Sequence, residues 1–269
     1  MEININYTLQ AFLATIFTWS ITAAGAGLVF IFKKTTKNIM DAMLGFAGGV
    51  MIAASFWSLL SPSIEMAENL GMVSWLVVLC GFLCGGMLLF AGDNFFVFIS
   101  RRQKNSSGTC GVNRSGFKRC LMLIISITLH NIPEGLAVGV AFGSLAYGLD
   151  GATQASACLL ALGIGLQNFP EGTAVSVPLR REGLSRKKAF FYGQLSGIVE
   201  PISGVIGAIL VMKIRMLLPF LLAFAAGAMI YVVVEELIPE SQTNENKERM
   251  AIFTMIGFSV MMVLDIALG

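Results

Sequence analysis

Two polar hexapeptides of the same pattern interrupt long apolar stretches of this chain. They read HNIPEG from His130 and QNFPEG from Gln167. In each copy the first residue and the glutamate are four positions apart, so on a helix His130 and Glu134 share one face. Gln167 and Glu171 do the same in the second copy. An imidazole, amide oxygens and carboxylates that converge in this way are donors for a divalent metal ion.

Each hexapeptide also contains a proline, Pro133 in the first and Pro170 in the second. Because proline has no N–H, each one frees the carbonyl four residues earlier, on Leu129 and Leu166. A freed carbonyl inside a membrane needs water, an ion or another partner. Transporters bind substrates near the bilayer midplane between broken helices. The sequence therefore predicts two broken helices around a shared cavity.

The composition is that of a membrane protein. Of the 269 residues, 56% are apolar and 13% are charged, and the mean hydropathy is +0.78. Apolar runs of about 20 residues predict an all-α polytopic membrane protein with eight transmembrane helices in a single domain, residues 1–269. The predicted spans are 8–32, 40–60, 72–100, 118–147, 152–179, 189–212, 217–239 and 250–268. The polar segment 101–119 lacks apolar residues for a core and is expected to be a flexible cytoplasmic loop between spans three and four.

The positions of the basic residues predict the orientation in the membrane. Sixteen of the 18 lysines and arginines follow spans one, three and five or precede span eight. Only Lys213 and Arg215 lie on the opposite side. Because basic residues collect on the cytoplasmic side, we expect a multi-pass protein of the cell membrane with both termini outside the cytosol.

A second repeat links distant spans. FAGGVMIAASFWSLLSP begins at Phe46 in span two, and FAAGAMIYVVVEELIPE begins at Phe224 in span seven. Spans two and seven must point in opposite directions, as must spans four and five. This pattern is typical of an inverted repeat, here organised as 3+2+3 spans, with the site on its axis. The alternative is that two unrelated helices have converged on small residues for close packing.

Polar side chains inside the spans are the candidate ligands. They are His130, Asn131, Glu134, Gln167, Asn168, Glu171, Glu200, Glu235 and Glu236. This nitrogen and oxygen set suits zinc, iron(II), manganese, cobalt or nickel and disfavours copper(I). The glutamates could instead form a structural hydrogen-bond network, but beyond Lys118 and Arg119 at the very start of span four, spans four to six contain no lysine or arginine to neutralise them. Glu235 and Glu236 lie close to the end of their span, where either solvation or an entry or exit relay would suit them.

The double hexapeptide, together with the Glu200-Pro201 pair of span six, resembles the signature of the ZIP (Zrt-, Irt-like protein) metal transporters, in particular the GufA-like branch. The resemblance covers the whole chain. It implies that His130, Glu134, Gln167 and Glu171 surround one metal ion. It also implies that a second ion is surrounded by Asn131, Glu134, Asn168, Glu171 and Glu200, with the two glutamates bridging.

The resemblance also places Met51 and Ser58 of span two near the entrance of the transport pathway. Some relatives carry aspartate at the position of Asn168, and others carry histidine at the position of Gln167. Amides at both positions lower the negative charge of the site in this chain.

We therefore expect a transporter that imports a divalent metal into the cytosol by alternating access, with a binuclear-type site between spans four, five and six. Zinc is the expected cargo, and cadmium, iron(II) or manganese are further candidates; no other cofactor is expected. A passive metal-selective channel and an intramembrane metal-dependent hydrolase are the alternatives, although the chain lacks an HExxH motif. The expected partners are the metal ion and the lipid bilayer, with a homodimer left open and no nucleic acid.

Overall fold

A computed structural model describes residues 5–31, 37–104, 114–148, 152–181 and 183–268. Within its helices, the side chains of residues 93, 95–104, 114–123, 125, 126, 129, 130, 181 and 268 lie outside this description. The described residues form eight long helices and no strand. The helices are α1 (Ile5–Ile31), α2 (Lys37–Asn69), α3 (Ser74–Lys104), α4 (Arg114–Ser144), α5 (Gln154–Arg181), α6 (Arg186–Lys213), α7 (Arg215–Ser241) and α8 (Lys247–Leu268).

The predicted fold class is confirmed: the chain is an all-α polytopic membrane protein. Six of the helices formed by the described residues are long and apolar enough to cross a bilayer. The other two helices, α4 and α5, carry the hexapeptides. Helix α3 continues to Lys104 and α4 begins at Arg114, so these two helices include both ends of the segment 101–119 that was predicted to be a loop. Residues 105–113 lie outside the described part of the chain.

The helices pack in two groups. In the first group, α1 packs along α5 and α4 packs along α6. In the second, α2 packs along α8 and α3 packs along α7. The two groups meet where α5 contacts α2 and where α4 contacts α7. The hexapeptide helices α4 and α5 therefore stand where the groups join.

Glycine allows the close approach inside each group. A methyl group on Gly172 of α5 would collide with the Thr22 carbonyl of α1, and one on Gly135 of α4 would collide with the Glu200 carbonyl of α6. Small residues of this kind let the backbones of membrane helices touch.

The second repeat has a counterpart in the backbone geometry. Residues Ser55–Leu60 of α2 form a π-helical turn, and so do residues Val233–Leu237 of α7. The alignment that pairs Phe46 with Phe224 places these two turns at the same position. Wide turns of this kind are rare and frequently mark functional sites, so the correspondence favours an inverted repeat over convergent packing.

Paired hydrogen bonds support the same relationship. Ser63 of α2 donates to the Pro219 carbonyl of α7 at 2.7 Å. Ser241 of α7 donates to the Asp41 carbonyl of α2 at 2.8 Å. The alignment of α2 with α7 pairs Ser63 with Ser241 and Asp41 with Pro219. The two donors are therefore equivalent positions of the repeat, and so are the two acceptors. Both serines are fully buried, so each bond fixes one end of the α2–α7 contact.

The prediction of broken helices at the hexapeptides is wrong for the described backbone. Both α4 and α5 continue as α-helix through Pro133 and Pro170. A proline removes only one backbone hydrogen bond, and packing against neighbouring helices can hold the remaining turns in place. Among the helices that carry the predicted ligands, the irregular backbone lies in α6. There Ser196–Ile198 is a 3₁₀ turn shortly before Glu200 and Pro201.

Candidate metal site

The two hexapeptides meet side by side at the centre of the molecule. The amide nitrogen of Gln167 on α5 donates a short hydrogen bond to a carboxylate oxygen of Glu134 on α4. Gln167 is completely buried, and only 1% of the surface of Glu134 is exposed. The four-residue spacing within each hexapeptide thus places its polar face against the other helix.

Five buried side-chain oxygens of the hexapeptides have no hydrogen-bond partner. They are Asn131 Oδ1, Glu134 Oε2, Gln167 Oε1, Asn168 Oδ1 and Glu171 Oε2. Buried polar atoms are normally hydrogen-bonded, and an exception points to an ion, a water molecule or strain. Because all five atoms are acceptors, they need cations or hydrogen-bond donors as partners, and two of them belong to carboxylates, which a cation suits best. This cluster is the strongest structural sign of a metal site.

The electrostatics of the cluster also favour a cation. The carboxylate of Glu134 is repelled by those of Glu171 and Glu200, and Glu171 is repelled by Glu200 and Glu236 as well. The sequence contains no lysine or arginine between residues 120 and 180. Buried charges are stable only when they are paired or when they coordinate a metal.

Asn131 and Asn168, the second residues of the hexapeptides, bond to opposite helices. Asn131 donates to the Ser196 carbonyl of α6 at 2.9 Å. Asn168 donates to the Thr18 carbonyl of α1 at 3.3 Å. The 3₁₀ turn of α6 at Ser196 loosens the helical bonding there, which leaves its carbonyl available. These equivalent bonds hold the amide oxygens of both residues in the buried space between the helices.

The carboxylate of Glu200 has a different environment. It accepts a short hydrogen bond from Thr18 Oγ1, a 3.4 Å bond from Thr22 Oγ1, and bonds from Asn168 Nδ2 at 3.0 and 2.9 Å. Thr18, Thr22 and Glu200 are all buried. The two threonines were not among the site residues predicted from the sequence. Their signal was weak, because a threonine in an apolar helix commonly bonds to its own backbone.

The other sequence-predicted residues are spread over the molecule. The backbone of His130 is helical within α4, but its side chain lies outside the described part. Met51 is fully buried in the apolar core of α2. Glu235 is exposed, whereas Glu236 is half-buried and close enough to Glu171 to repel it.

Ser58 has a polar partner that the sequence analysis did not include. Its hydroxyl donates to Asp265 Oδ1 of α8 at 2.7 Å. The other oxygen of Asp265 is buried without a hydrogen-bond partner. An ionisable residue inside a membrane span is by default a candidate functional residue. This rule, applied to the last span, would have identified Asp265 from the sequence.

The described side chains contain no group of three or more histidine, cysteine, aspartate or glutamate residues placed to hold a metal ion. Amide oxygens, which bind metal less strongly than carboxylates, would therefore have to complete any ligand set formed by the described residues. A cargo ion suits such a set, because a transporter must release what it binds.

A cavity of about 680 Å³ between α1, α2, α5 and α8 is not a second candidate for the metal. Its walls include Phe17, Ile39, Phe46, Leu166 and Phe253, and no residue that lines it carries a carboxylate, an imidazole or a side-chain amide. Such a surface binds apolar groups. The candidate metal donors lie elsewhere, on the hexapeptides of α4 and α5 and at Glu200 of α6.

Ionisable residues and acceptor oxygens buried between the central helices of a membrane protein mark a functional site, such as an ion pathway or a proton relay. The family described as ZIP Zinc transporter matches residues 114–265. Zinc transporter ZIP11 of Xenopus tropicalis is 41% identical, over 97% of this chain and 98% of that protein. Zinc transporter ZIPB of Bordetella bronchiseptica is 35% identical, over 93% and 79% of the two chains. Zinc transporter GufA of Myxococcus xanthus is 33% identical, over 95% and 98%.

The chain therefore belongs to the ZIP zinc transporter family, and it has GufA-like relatives. Its activity is transport of divalent metal rather than catalysis. The resemblance drawn from the hexapeptides is confirmed.

Proposed function

We propose that this protein carries zinc into the cytosol through the space between α4, α5 and α6. The single observation that supports this site is the group of five buried oxygens without hydrogen-bond partners on the two hexapeptides. The printed names of the relatives, all zinc transporters, make zinc the first choice of cargo. Cadmium, iron(II) and manganese remain candidates, because selectivity among such ions depends on geometry and availability.

The proposed site has two adjoining positions. His130, Glu134, Gln167 and Glu171 would form the first position. The second would be formed by Asn131, Glu134, Asn168, Glu171 and Glu200. Glu134 and Glu171 would bridge, so that an ion could pass between the positions without losing all of its carboxylate ligands at once.

The proposed transport cycle is alternating access. The group α1, α4, α5 and α6 carries every ligand named above and would move as one body against α2, α3, α7 and α8. Glycine contacts unite the helices within each group, for example Gly85 of α3 against the Phe224 carbonyl of α7. With both termini outside the cytosol, as the basic residues predict, Ser58 would lie on the outer side and Glu236 on the inner side of the pathway.

The test is metal uptake into liposomes that contain the purified protein. Substitutions His130→Ala and Glu134→Ala should each abolish saturable zinc uptake, because each removes a ligand of the first position. Glu248→Gln, which neutralises an exposed carboxylate in the first turn of α8, is the control and should leave uptake unchanged. Normal uptake by both site variants, with correct folding shown by size-exclusion chromatography, would contradict the proposed metal site.

Uptake kinetics also separate a carrier from the alternative of a passive channel. A carrier exchanges labelled zinc for unlabelled zinc across the membrane and shows steep temperature dependence. A channel conducts both ways with weak temperature dependence and a measurable current. Whether the protein forms a homodimer is measured separately by native mass spectrometry.

A further inference from the structure

The hydrogen bonds divide the carboxylates of the candidate site into two kinds. Glu134 and Glu171 each have an oxygen that is buried without a hydrogen-bond partner. Both oxygens of Glu200 accept hydrogen bonds, one from Thr18 and Asn168 and the other from Thr22 and Asn168. The first two carboxylates are thus ready for a cation, whereas the third already has neutral donors.

The donors to Glu200 are well placed to keep a metal ion away from it. Thr18, Thr22 and Asn168 are each at most 1% exposed, so water does not compete for these bonds. Hydrogen bonds to a charged group are about twice as strong as those between neutral groups. An ion that coordinates one oxygen of Glu200 must displace at least one of the two donors to that oxygen.

The amide of Asn168 is essential to this arrangement. Its NH₂ group donates to both oxygens of Glu200. A carboxylate at the same position would have no proton to donate and would repel Glu200. The residue type at this position therefore decides whether Glu200 accepts two further hydrogen bonds or instead faces a second negative charge.

Comparison of the two halves of the inverted repeat shows that only one half has a carboxylate at the position of Glu200. The same alignment that pairs α2 with α7 pairs α1 with α6 and places Thr22 opposite Glu200. The α1 half thus supplies a hydroxyl donor at the position where the α6 half supplies a carboxylate. The two face each other, with Thr22 Oγ1 3.4 Å from Glu200 Oε1.

We propose that Thr18, Thr22 and Asn168 form a latch that holds Glu200 out of the second metal position. One divalent ion then binds between α4 and α5, and a second ion binds only when the latch opens. This inference rests on the proposed function, because it assigns an order of filling to the proposed site. Thr18 and Thr22 are positioning residues that act through Glu200 and do not touch the metal.

The experiment counts zinc ions bound to the purified full-length protein. Zinc is titrated into protein in detergent by calorimetry, and bound metal is measured by mass spectrometry across the same range of free zinc. The wild-type protein should bind one ion tightly and a second at least about tenfold more weakly. Thr18→Val removes the hydroxyl with little change of shape and should strengthen binding of the second ion by about tenfold, the effect of losing one charge-assisted hydrogen bond.

Thr15→Val is the matched control. Thr15 is a buried threonine of the same helix, but its hydroxyl bonds only to the Ala11 and Phe12 carbonyls of its own helix. It should bind zinc as the wild-type protein does. Thr18→Ser keeps the hydroxyl and should restore the weak second site, which a merely structural role of the residue would not require. If Thr18→Val does not fold, Thr22→Val gives the same comparison with a smaller rise.

Two results would overturn the latch. One is equal affinity for two ions in the wild-type protein. The other is identical zinc binding by the Thr18→Val and Thr15→Val proteins. Failure of the proposed function looks different, because zinc binding would then be absent or unaffected by Glu134→Gln. That result would contradict the latch as well, because there would be no metal position for it to control.

Discussion

The side chain of Asn168 donates a hydrogen bond to each carboxylate oxygen of Glu200, at 3.0 and 2.9 Å. Asn131, its counterpart in the first hexapeptide, donates to the Ser196 carbonyl. Asn168 makes the equivalent bond to the Thr18 carbonyl in addition. Each asparagine therefore donates one bond to a backbone carbonyl of a neighbouring helix. Asn168 alone also stabilises a buried carboxylate.

This difference predicts the relative stability of two matched variants. Asn131→Ala and Asn168→Ala each lose one bond to a backbone carbonyl, but only Asn168→Ala also removes the amide group that donates to both oxygens of Glu200. Hydrogen bonds to charged groups contribute about 1.5–3 kcal/mol, so metal-free Asn168→Ala should be less stable than Asn131→Ala by about that amount. Thermal unfolding in metal-free detergent solution measures the difference. Equal melting temperatures would show that Glu200 does not depend on Asn168.

Two adjacent glycines of α3 provide a test of the helix packing. A methyl group on Gly85 would collide with the Phe224 carbonyl of α7, whereas one on Gly86 would lie 3.6 Å from its nearest neighbour, the Gly227 carbonyl. Gly85→Ala should therefore destabilise the protein by about 1–3 kcal/mol or more, the usual result of overpacking. Gly86→Ala should be neutral or slightly stabilising, because alanine is the better helix former.

Size-exclusion chromatography with fluorescence detection, after heating at a series of temperatures, measures both glycine variants. The substitution is the same in each, and the two positions are neighbours on one helix. A similar loss of folded protein in both would mean that α3 does not pack on α7 through Gly85.

The sequence predicted the elements of this protein better than their details. The apolar runs predicted eight helices, because a span needs about 20 apolar residues, and the structure forms a helix at each of them. The two hexapeptides predicted that α4 and α5 meet, and Gln167 does contact Glu134. These features follow from composition and from helical spacing, both of which a single sequence contains.

Other features depend on contacts between residues far apart in the chain. Thr18 and Thr22 bond to Glu200 as well as to carbonyls of their own helix, but nothing in their spacing distinguishes them from a threonine such as Thr15, which bonds to its own helix alone. The continuity of the helix through Pro170 depends on the packing around it, and the π-helical turns of α2 and α7 have no residue signature of their own. Tertiary structure decides these points.

Zinc binding should weaken as the pH falls from neutral to mildly acidic. Protons and metal ions compete for the same carboxylate oxygens, so metal binding depends on deprotonation of the ligands. The affinity of the wild-type protein for zinc, measured by calorimetry in two buffers of different ionisation enthalpy, should fall with added acid, and binding should release protons. Glu171→Gln removes one titrating ligand and should release fewer protons per ion. The same proton release from both proteins would remove Glu171 from the ligand set.

The contact between Ser58 and Asp265 predicts how the transport pathway attracts its cargo. Ser58 holds one oxygen of Asp265 at 2.7 Å, and the second oxygen is buried without a hydrogen-bond partner. If this pair lies at the entrance, its negative charge raises the local concentration of cations. Asp265→Asn should then raise the KM for zinc uptake several-fold and leave the maximal rate nearly unchanged, because the binding site between α4 and α5 remains intact.

Ser58→Ala should have a smaller effect in the same direction, since it keeps the charge and removes only the bond that orients it. Glu248→Gln is the matched control, because it neutralises an exposed carboxylate at the opposite end of the same helix. Uptake of radioactive zinc into proteoliposomes at a series of zinc concentrations gives KM and the maximal rate for all three variants. An unchanged KM in Asp265→Asn would place this aspartate outside the path of the ion, and a fall in the maximal rate alone would indicate that it acts on the movement of the helices instead.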